Sequence, residues 1–199
     1  MSRRRTADRP RASLVTTRST LSSLQRTAHS FGRSLRRATK RSFALAILLG
    51  ACYPTTTIVL VRHAERPPGT DPDLLPEGRA RAGDLARALE RANVRAIIHT
   101  NFKRTRQTAE SLAARTGVAL TEVSAGGNAT AHAADVAARL LSFKGHTVVY
   151  VGHSNTVPAV IGALGITPAP SIPDSVYSRF YVVTKRKGLT SLTEARYGR

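Results

Sequence analysis

The 199-residue chain has a single cysteine, Cys52, which excludes an internal disulfide framework and any cysteine-rich zinc module. It has no apolar run near the ~20 residues that a bilayer-spanning helix needs, so an ordinary transmembrane anchor is excluded as well. Acidic residues are scarce, 12 Asp+Glu against 31 Lys+Arg, for a net charge of +19. An excess of that size suits nucleic acid or an anionic membrane, but it is unevenly spread. Residues 1–42 hold 12 Lys+Arg against Asp8 alone, whereas residues 43–199 hold 19 against 11 acids. This leader is rich in Arg, Ser and Thr, has Phe31 as its one aromatic and shows no sustained helical period, so no packed fold is expected there. Without interleaved aromatics on which bases could stack, it does not read as a nucleic-acid arm, and no nucleic-acid partner is expected.

With 41% hydrophobic residues the rest of the chain can bury a core, and its length suits one domain. Before that domain, Arg36, Arg37, Lys40 and Arg41 precede the apolar run Phe43-Ala44-Leu45-Ala46-Ile47-Leu48-Leu49 and the small residues Gly50-Ala51. Basic, apolar and small residues in that order are the parts of a secretory signal. Leu49-Gly50-Ala51-Cys52 resembles the bacterial lipobox, which implies cleavage before Cys52 and a lipid on its sulfur. The expected division is therefore a leader and signal at 1–51, a lipidated Cys and short tether at 52–56, and a folded domain at 57–199. The signal is longer than usual at 51 residues, which a start codon assigned too far upstream explains. The expected location is a bacterial membrane surface facing the periplasm; the alternative is a cytoplasmic protein with a basic tail.

From residue 57 strand and helix patterns alternate. Ile58–Val61 reads as a strand, Glu77–Arg91 as a helix, the region of Ala96–Ile98 as a strand and Lys103–Thr116 as a helix. Val118–Thr121 reads as a strand, Ala131–Phe143 as a helix, Thr147–Val151 as a buried strand and Asn155–Leu164 as a helix. Tyr177–Val183 and Leu189–Tyr197 read as a closing hairpin. Repeated strand-helix units predict an α/β fold in three layers, with helices on both faces of an open, mostly parallel sheet.

In such sheets chemistry collects beyond the carboxyl ends of the strands. Val61 runs into Arg62-His63 and Val151-Gly152 into His153, which should bring two distant imidazoles to one edge. The third motif, Thr100-Asn101-Phe102-Lys103-Arg104-Thr105-Arg106-Gln107-Thr108-Ala109, sets a basic cluster at a helix start, where free N–H groups already favour anions such as phosphate. Lys103 and Arg106 need be no more than a solvated helix face. His29, His99, His132 and His146 lack a metal-ligand spacing and read as solvated or loop residues.

Arg62-His63-Ala64-Glu65, Arg104 to Ala109 and Gly152-His153-Ser154-Asn155 resemble, in that order, the signature of the histidine phosphatase superfamily, the phosphoglycerate mutase-like group. The resemblance covers roughly residues 57–199. It implies that His63 is a nucleophile that becomes phosphohistidine, that Arg62 and Arg104 clamp the phosphoryl oxygens, and that His153 stabilises the transferring group. It implies no metal and no other cofactor. Asn101, Ser154 and Asn155, beside these residues, are further candidates for binding a phosphorylated small molecule or phosphoprotein. The two guanidiniums should also disfavour protonation of His63 and keep it nucleophilic.

The proton donor is less clear. One branch of the family has Asp directly after the second His, where this chain has Ser154. Leu120-Thr121-Glu122-Val123-Ser124-Ala125-Gly126 fits the other branch's Leu-x-Glu-x-x-x-Gly and nominates Glu122, with Glu65 as the alternative. The family's Ser-Pro turn before Arg104 is replaced by Thr100-Asn101-Phe102. A serine hydrolase is disfavoured, since no His follows Ser154 and the last Gly of G-x-S-x-G is Thr156. Mutase-type phosphotransfer and a phosphate-binding pseudoenzyme are the remaining alternatives to hydrolysis.

Overall fold

Ile58, Val59, Leu60 and Val61 are all buried, so the strand they form is covered on both faces, as a central strand of an α/β layer must be. The computed structural model describes residues 53–198. The leader 1–51 and Cys52, with the signal and lipid readings that rest on them, lie outside the described residues, as does Arg199. The elements are β1 (Thr56–Arg62), α1 (Pro76–Leu89), β2 (Val94–Thr100), α2 (Lys103–Thr116), β3 (Leu120–Val123), α3 (Ala129–Ser142), β4 (Thr147–Gly152), α4 (Thr156–Ala163), β5 (Arg179–Arg186) and β6 (Leu189–Arg196).

The six strands lie in the order β3-β2-β4-β1-β5-β6. β3, β2, β4 and β1 are mutually parallel, while β5 and β6 close the sheet antiparallel. Successive residues of one strand serve opposite faces. Val59, Val61, Ile97, Val149 and Val151 pack beneath α1 and α2 through Leu85, Leu89 and Leu112. Ile58, Leu60, Ile98, Val148 and Tyr150 pack on the other face beneath α3 and α4 through Val136, Leu140, Val160 and Ile161. The expected three-layer α/β fold is the observed one, with a mixed six-stranded sheet.

This winding fixes where a cleft opens. The chain leaves β1 toward the face of α1, and leaves the neighbouring β4 toward the face of α4, so the two loops diverge and a crevice forms between them. β1 also separates this edge from the place where the chain enters the domain. Thr56 pairs with Lys185 near the hairpin turn and Val61 with Phe180, so Arg62 lies about 20 Å from Thr56 at the usual strand rise.

Most boundaries shift by one or two residues from the sequence pattern, β5 starting at Arg179 instead of Tyr177 and α3 at Ala129 instead of Ala131, and two shifts have a clear local cause. β3 begins at Leu120 instead of Val118, because α2 ends in Gly117 at φ 70°, its N–H bonded to the Ala113 carbonyl, and two residues carry the chain from that cap to the sheet. The hairpin strands run three residues beyond Val183 to a two-residue turn at Lys187-Gly188, where both φ are positive, 34° and 78°. That is the type I′ geometry, which matches the twist of the flanking strands.

Candidate active site

His63 follows β1 and His153 follows β4, and the His63 N–H still donates to the Gly152 carbonyl at 2.9 Å, extending the pairing of these strands into the crevice. The two imidazoles meet edge to face with ring centroids 5.4 Å apart. Gly152, between them, leaves room for the side chains behind His153: a Cβ there would lie 2.6 Å from Tyr150 Cε1 and 2.7 Å from Thr156 Oγ1. The backbone after His63 is pinned as well. Ala64 N–H donates to Thr108 Oγ1 at 2.9 Å, and Leu75 N–H to the Glu65 carbonyl at 3.0 Å. Gly78 on α1 fits against that same carbonyl, which a Cβ would approach to 2.2 Å.

His63 Nδ1 lies 2.8 Å from the Ala64 carbonyl. A carbonyl can only accept, so Nδ1 carries the proton and Nε2 keeps its lone pair. Burial pushes the His63 pKa down to about 4, aided by Arg62, Arg104 and Arg66 and opposed by the Ala64 hydrogen bond. Loss of hydration is thus the main reason that the ring is neutral, and the guanidiniums that the sequence suggested are secondary. His153 is pushed down to about 3, again chiefly by burial and then by Arg104. Between His63's ordinary value of 6.5 and about 4, the unfolded chain binds a proton that the folded chain does not, so stability falls as pH drops through that window. The melting temperature should be lower at pH 5 than at pH 7, and the difference should shrink in His63→Gln. A difference undiminished in that variant would remove His63 as its source.

Two arginines flank the histidines, each backed by an aromatic ring. The Arg62 guanidinium lies 4.2 Å from the centre of the Tyr177 ring, which in turn is 6.1 Å from the His63 ring. Arg104 lies 4.1 Å from the centre of Phe102, and Phe102 meets His153 edge to face at 5.2 Å. Arg62 Nη1 donates to the carbonyls of Pro173, Asp174 and Val176 at 3.1, 2.7 and 3.3 Å, which draws the loop before β5 over the site. Each arginine also faces a carboxylate, Asp174 at 3.5 Å from Arg62 and Asp71 at 3.4 Å from Arg104.

A chain of hydroxyls positions His153. Thr105 Oγ1 donates to the carbonyls of Thr100 and Phe102, both at 2.8 Å, and so accepts from Thr100 Oγ1 at 2.9 Å. Thr100 has then used its proton and accepts from His153 Nε2 at 2.8 Å, which leaves Nδ1 as the ring's basic position. Its backbone N–H is held by Thr156 Oγ1 at 2.8 Å. Behind it, Tyr150 Oη lies 3.2 Å from Thr156 Oγ1 and 3.0 Å from His132 Nε2. His132 Nδ1 meets the Ser124 carbonyl at 2.7 Å. His132 and His99 are therefore buried, hydrogen-bonded residues and not the solvated ones expected. His132 falls on the inner face of α3 and His99 on a central strand.

The cavity measures about 590 Å³ and is lined by both histidines, Arg62, Arg104, Ser154 and Asn155, together with Arg66 and Tyr177, which no motif contained, and Phe102, which the third motif contained without a role. Asn101 does not line it. Its Oδ1 accepts from Ala125 N–H at 2.9 Å, so it tethers the loop after β3 instead of facing a ligand. Glu122 is exposed on the edge strand β3 and also lies outside the lining. Glu65 is held by Arg81 at 2.6 Å. The N-terminus of α2, expected to attract phosphate, already holds an internal anion: Asp71 accepts from Lys103 N–H at 3.1 and 3.2 Å. The helix start at the cavity is that of α4, where Asn155 makes no side-chain cap and Thr156 lines the wall. Among the described residues no group of three or more His, Cys, Asp or Glu is arranged to hold a metal ion.

Residues 58–126 match the profile of the histidine phosphatase superfamily, branch 1. The matched segment includes Arg62, His63 and Arg104 and ends before His153. No curated protein matches the chain at a significant level. Among solved structures, the fold is similar to that of a mycobacterial glucosyl-3-phosphoglycerate phosphatase, at 16% identity and a TM-score of 0.56 over 65% of this chain and 90% of the other. It is also similar to a mycobacterial hydrolase at 15% identity and a TM-score of 0.60, covering 73% of this chain and 93% of the other. A phosphoserine phosphatase from Entamoeba histolytica, solved with 3-phosphoglyceric acid, is 17% identical with a TM-score of 0.54, covering 72% and 97%.

Proposed function

We propose that this protein is a histidine phosphatase that hydrolyses a phosphomonoester or phosphohistidine through a covalent intermediate on His63. The observation that carries the reading is a buried, neutral imidazole with a bare Nε2, set between two guanidiniums and opposite a second histidine in one cavity. The Nε2 lone pair attacks phosphorus, and the bond from phosphorus to the leaving oxygen breaks with its electrons on that oxygen. Water then attacks phosphorus and gives up a proton to bulk solvent, the P–N bond breaks, and its electrons return to Nε2. Arg62 and Arg104 hold the equatorial oxygens in a fixed electrostatic frame that needs no reorganisation during transfer. The arriving dianion opposes the burial that keeps His153 neutral, so Nδ1 can take up a proton and donate it to a phosphoryl oxygen. Neither Glu122 nor Glu65 lines the cavity, and the acid that does, Asp174, is exposed and faces Arg62, so the proton for a poor leaving group comes from water in the open mouth.

The phosphatases named among the structures of similar fold act on small phosphate esters, which supports a phosphorylated small molecule as substrate. The test is hydrolysis of p-nitrophenyl phosphate by the purified chain, with rapid acid-free quenching and mass spectrometry to find the phosphate. Turnover that survives EDTA, with phosphate on His63, is the expected result. Activity abolished by EDTA and restored by zinc or magnesium would overturn the metal-free mechanism.

The reading includes a lipid on Cys52 that anchors the domain to the periplasmic side of a bacterial membrane. It is supported by the basic, apolar and small-residue order before Cys52 and by the surface beside Tyr53. Tyr53 and Leu189 are exposed large apolar residues, 43% and 74%, and Lys187 Nζ lies 4.1 Å from the centre of the Tyr53 ring. Apolar and basic side chains together at the end of the sheet opposite the site suit an anionic headgroup layer. Expression with radiolabelled palmitate should label the unaltered chain and not Cys52→Ser. An unlabelled chain that keeps residues 1–51 and fractionates as soluble would point to the cytoplasmic alternative.

A further inference from the structure

Behind His153 runs a buried chain of three polar side chains, Thr156, Tyr150 and His132, whose hydrogen bonds can be assigned from end to end. His132 Nδ1 faces the Ser124 carbonyl at 2.7 Å and must carry a proton, because a carbonyl only accepts. At the other end, Thr156 Oγ1 accepts from the His153 N–H at 2.8 Å and from the Tyr150 hydroxyl at 3.2 Å. A phenol has one proton to give. Tyr150 Oη, 3.0 Å from His132 Nε2, therefore accepts there, and Nε2 is protonated as well. With both ring nitrogens donating, His132 is an imidazolium, and among the described residues no carboxylate pairs with it. Of the groups around it, β4 supplies Tyr150 as its one titratable side chain, while the loop 124–128 and α4 supply none. Glu122 of β3 is exposed, and on α3 itself Asp135 pairs with Arg139 at 2.9 Å. Beyond Thr156 stands His153.

A neutral His132 reverses the chain. With Nε2 bare, the Tyr150 proton turns toward it, and Thr156 can give its own proton to Tyr150 Oη. When Nε2 takes one proton from solvent, each hydroxyl turns back, and Thr156 regains its proton for the cavity whose wall it helps to form. Both changes favour an anion in that cavity. One supplies a hydroxyl donor. The other supplies a positive charge, close enough that it disfavours protonation of His153 after burial, Arg104 and His63. We propose that His132 is a positioning residue for phosphate recognition: its protonation is coupled to entry of a dianion and, through Tyr150, turns the Thr156 hydroxyl toward the bound oxygens. The proposal rests on the phosphatase reading. Linkage fixes its sign, since a site that binds tighter when His132 is charged must lose affinity as rising pH removes that proton.

The test is binding of tungstate, a phosphate mimic that stays dianionic between pH 6.5 and 8.5, to the full chain by calorimetry in buffers of different protonation enthalpy. Across that range the affinity of the unaltered protein should fall roughly fivefold more than that of His132→Gln, the scale of one partly screened charge inside a protein, with a larger proton uptake on binding. Subtracting the variant removes any proton taken up by His63 or His153, which both proteins share. Tyr150→Phe keeps the imidazole but removes the acceptor for its Nε2–H, so it should behave as His132→Gln does. Equal pH slopes and equal uptake in the unaltered protein and His132→Gln overturn the proposal, and a Tyr150→Phe protein that matches the unaltered one overturns the route through Tyr150. Where a variant does not fold, the ring-nitrogen NMR shifts of His132 in the unaltered chain decide. Protonation of both nitrogens that persists to higher pH with tungstate than without is the expected result, and a titration that tungstate leaves unmoved is the opposing one. If tungstate does not bind, the phosphatase reading fails, and the same shifts judge the relay alone: a bare Nε2 at pH 6 in the unliganded chain overturns the imidazolium.

Discussion

His63→Ala is expected to abolish both the phosphoenzyme and turnover, lowering kcat by at least about 10⁴-fold, as loss of a covalent nucleophile does elsewhere. The choice of His63 over His153 follows from which ring nitrogen each leaves open. His63 is held at Nδ1 by a carbonyl and keeps Nε2, the nitrogen farther from the backbone, for attack. His153 is held at Nε2 by Thr100, whose hydroxyl is already committed to Thr105, so that nitrogen carries a proton and cannot attack. His153→Ala should therefore still accumulate phosphate on His63, although slowly. Acid-labile phosphate trapped on His153 in the unaltered chain would reverse the two roles.

Arg104→Ala is expected to lower kcat/KM by about 10²–10³-fold, the usual cost of removing one pre-set donor to a developing charge. The resting contacts of Arg104 are long, 3.4 Å to both the Thr70 carbonyl and Asp71, and Phe102 stacking holds the group in place. A phosphoryl oxygen can therefore take over the guanidinium without breaking a strong internal bond. Its removal also leaves Asp71 without its cation beside an anionic substrate. Arg104→Lys should recover only part of the loss, because an ammonium cannot replace a planar two-pronged donor. Steady-state kinetics with a melting curve for each variant checks the expectation, and a loss under about threefold in a folded Arg104→Ala protein would remove Arg104 from the clamp.

The parts of this molecule that follow local rules could be read before the fold was seen. Ile58–Val61 is apolar on both faces because helices cover both, and Lys103–Thr116 has the bounds that its spacing predicts. The convergence of His63 and His153 followed from strand polarity alone. What escaped was nonlocal. Tyr177 and the carbonyls that hold Arg62 are 111–115 residues away from it in a loop without periodicity. Asp71 reaches the start of α2 from 32 residues upstream and occupies the position where a free anion was expected. Thr100 and Thr105 look like ordinary strand and helix residues, and only their contact with His153 gives them a role. Asn101 and Glu122 show the converse: both sit at motif positions, but one is engaged by Ala125 N–H and the other faces solvent on an edge strand.

The length of β1 has a further meaning for a domain held at Tyr53. Its about 20 Å between Thr56 and Arg62 is more than twice the Debye length of about 8 Å at physiological ionic strength. A negatively charged lipid surface at the hairpin end would be almost wholly screened at the cavity. An anionic substrate would then meet the arginines as it would in free solution, neither repelled by the bilayer nor confined to molecules that lie in it. Anchored in this way, the enzyme would draw on the aqueous phase beyond the membrane, with its catalytic electrostatics insulated from lipid composition by the span of a single strand.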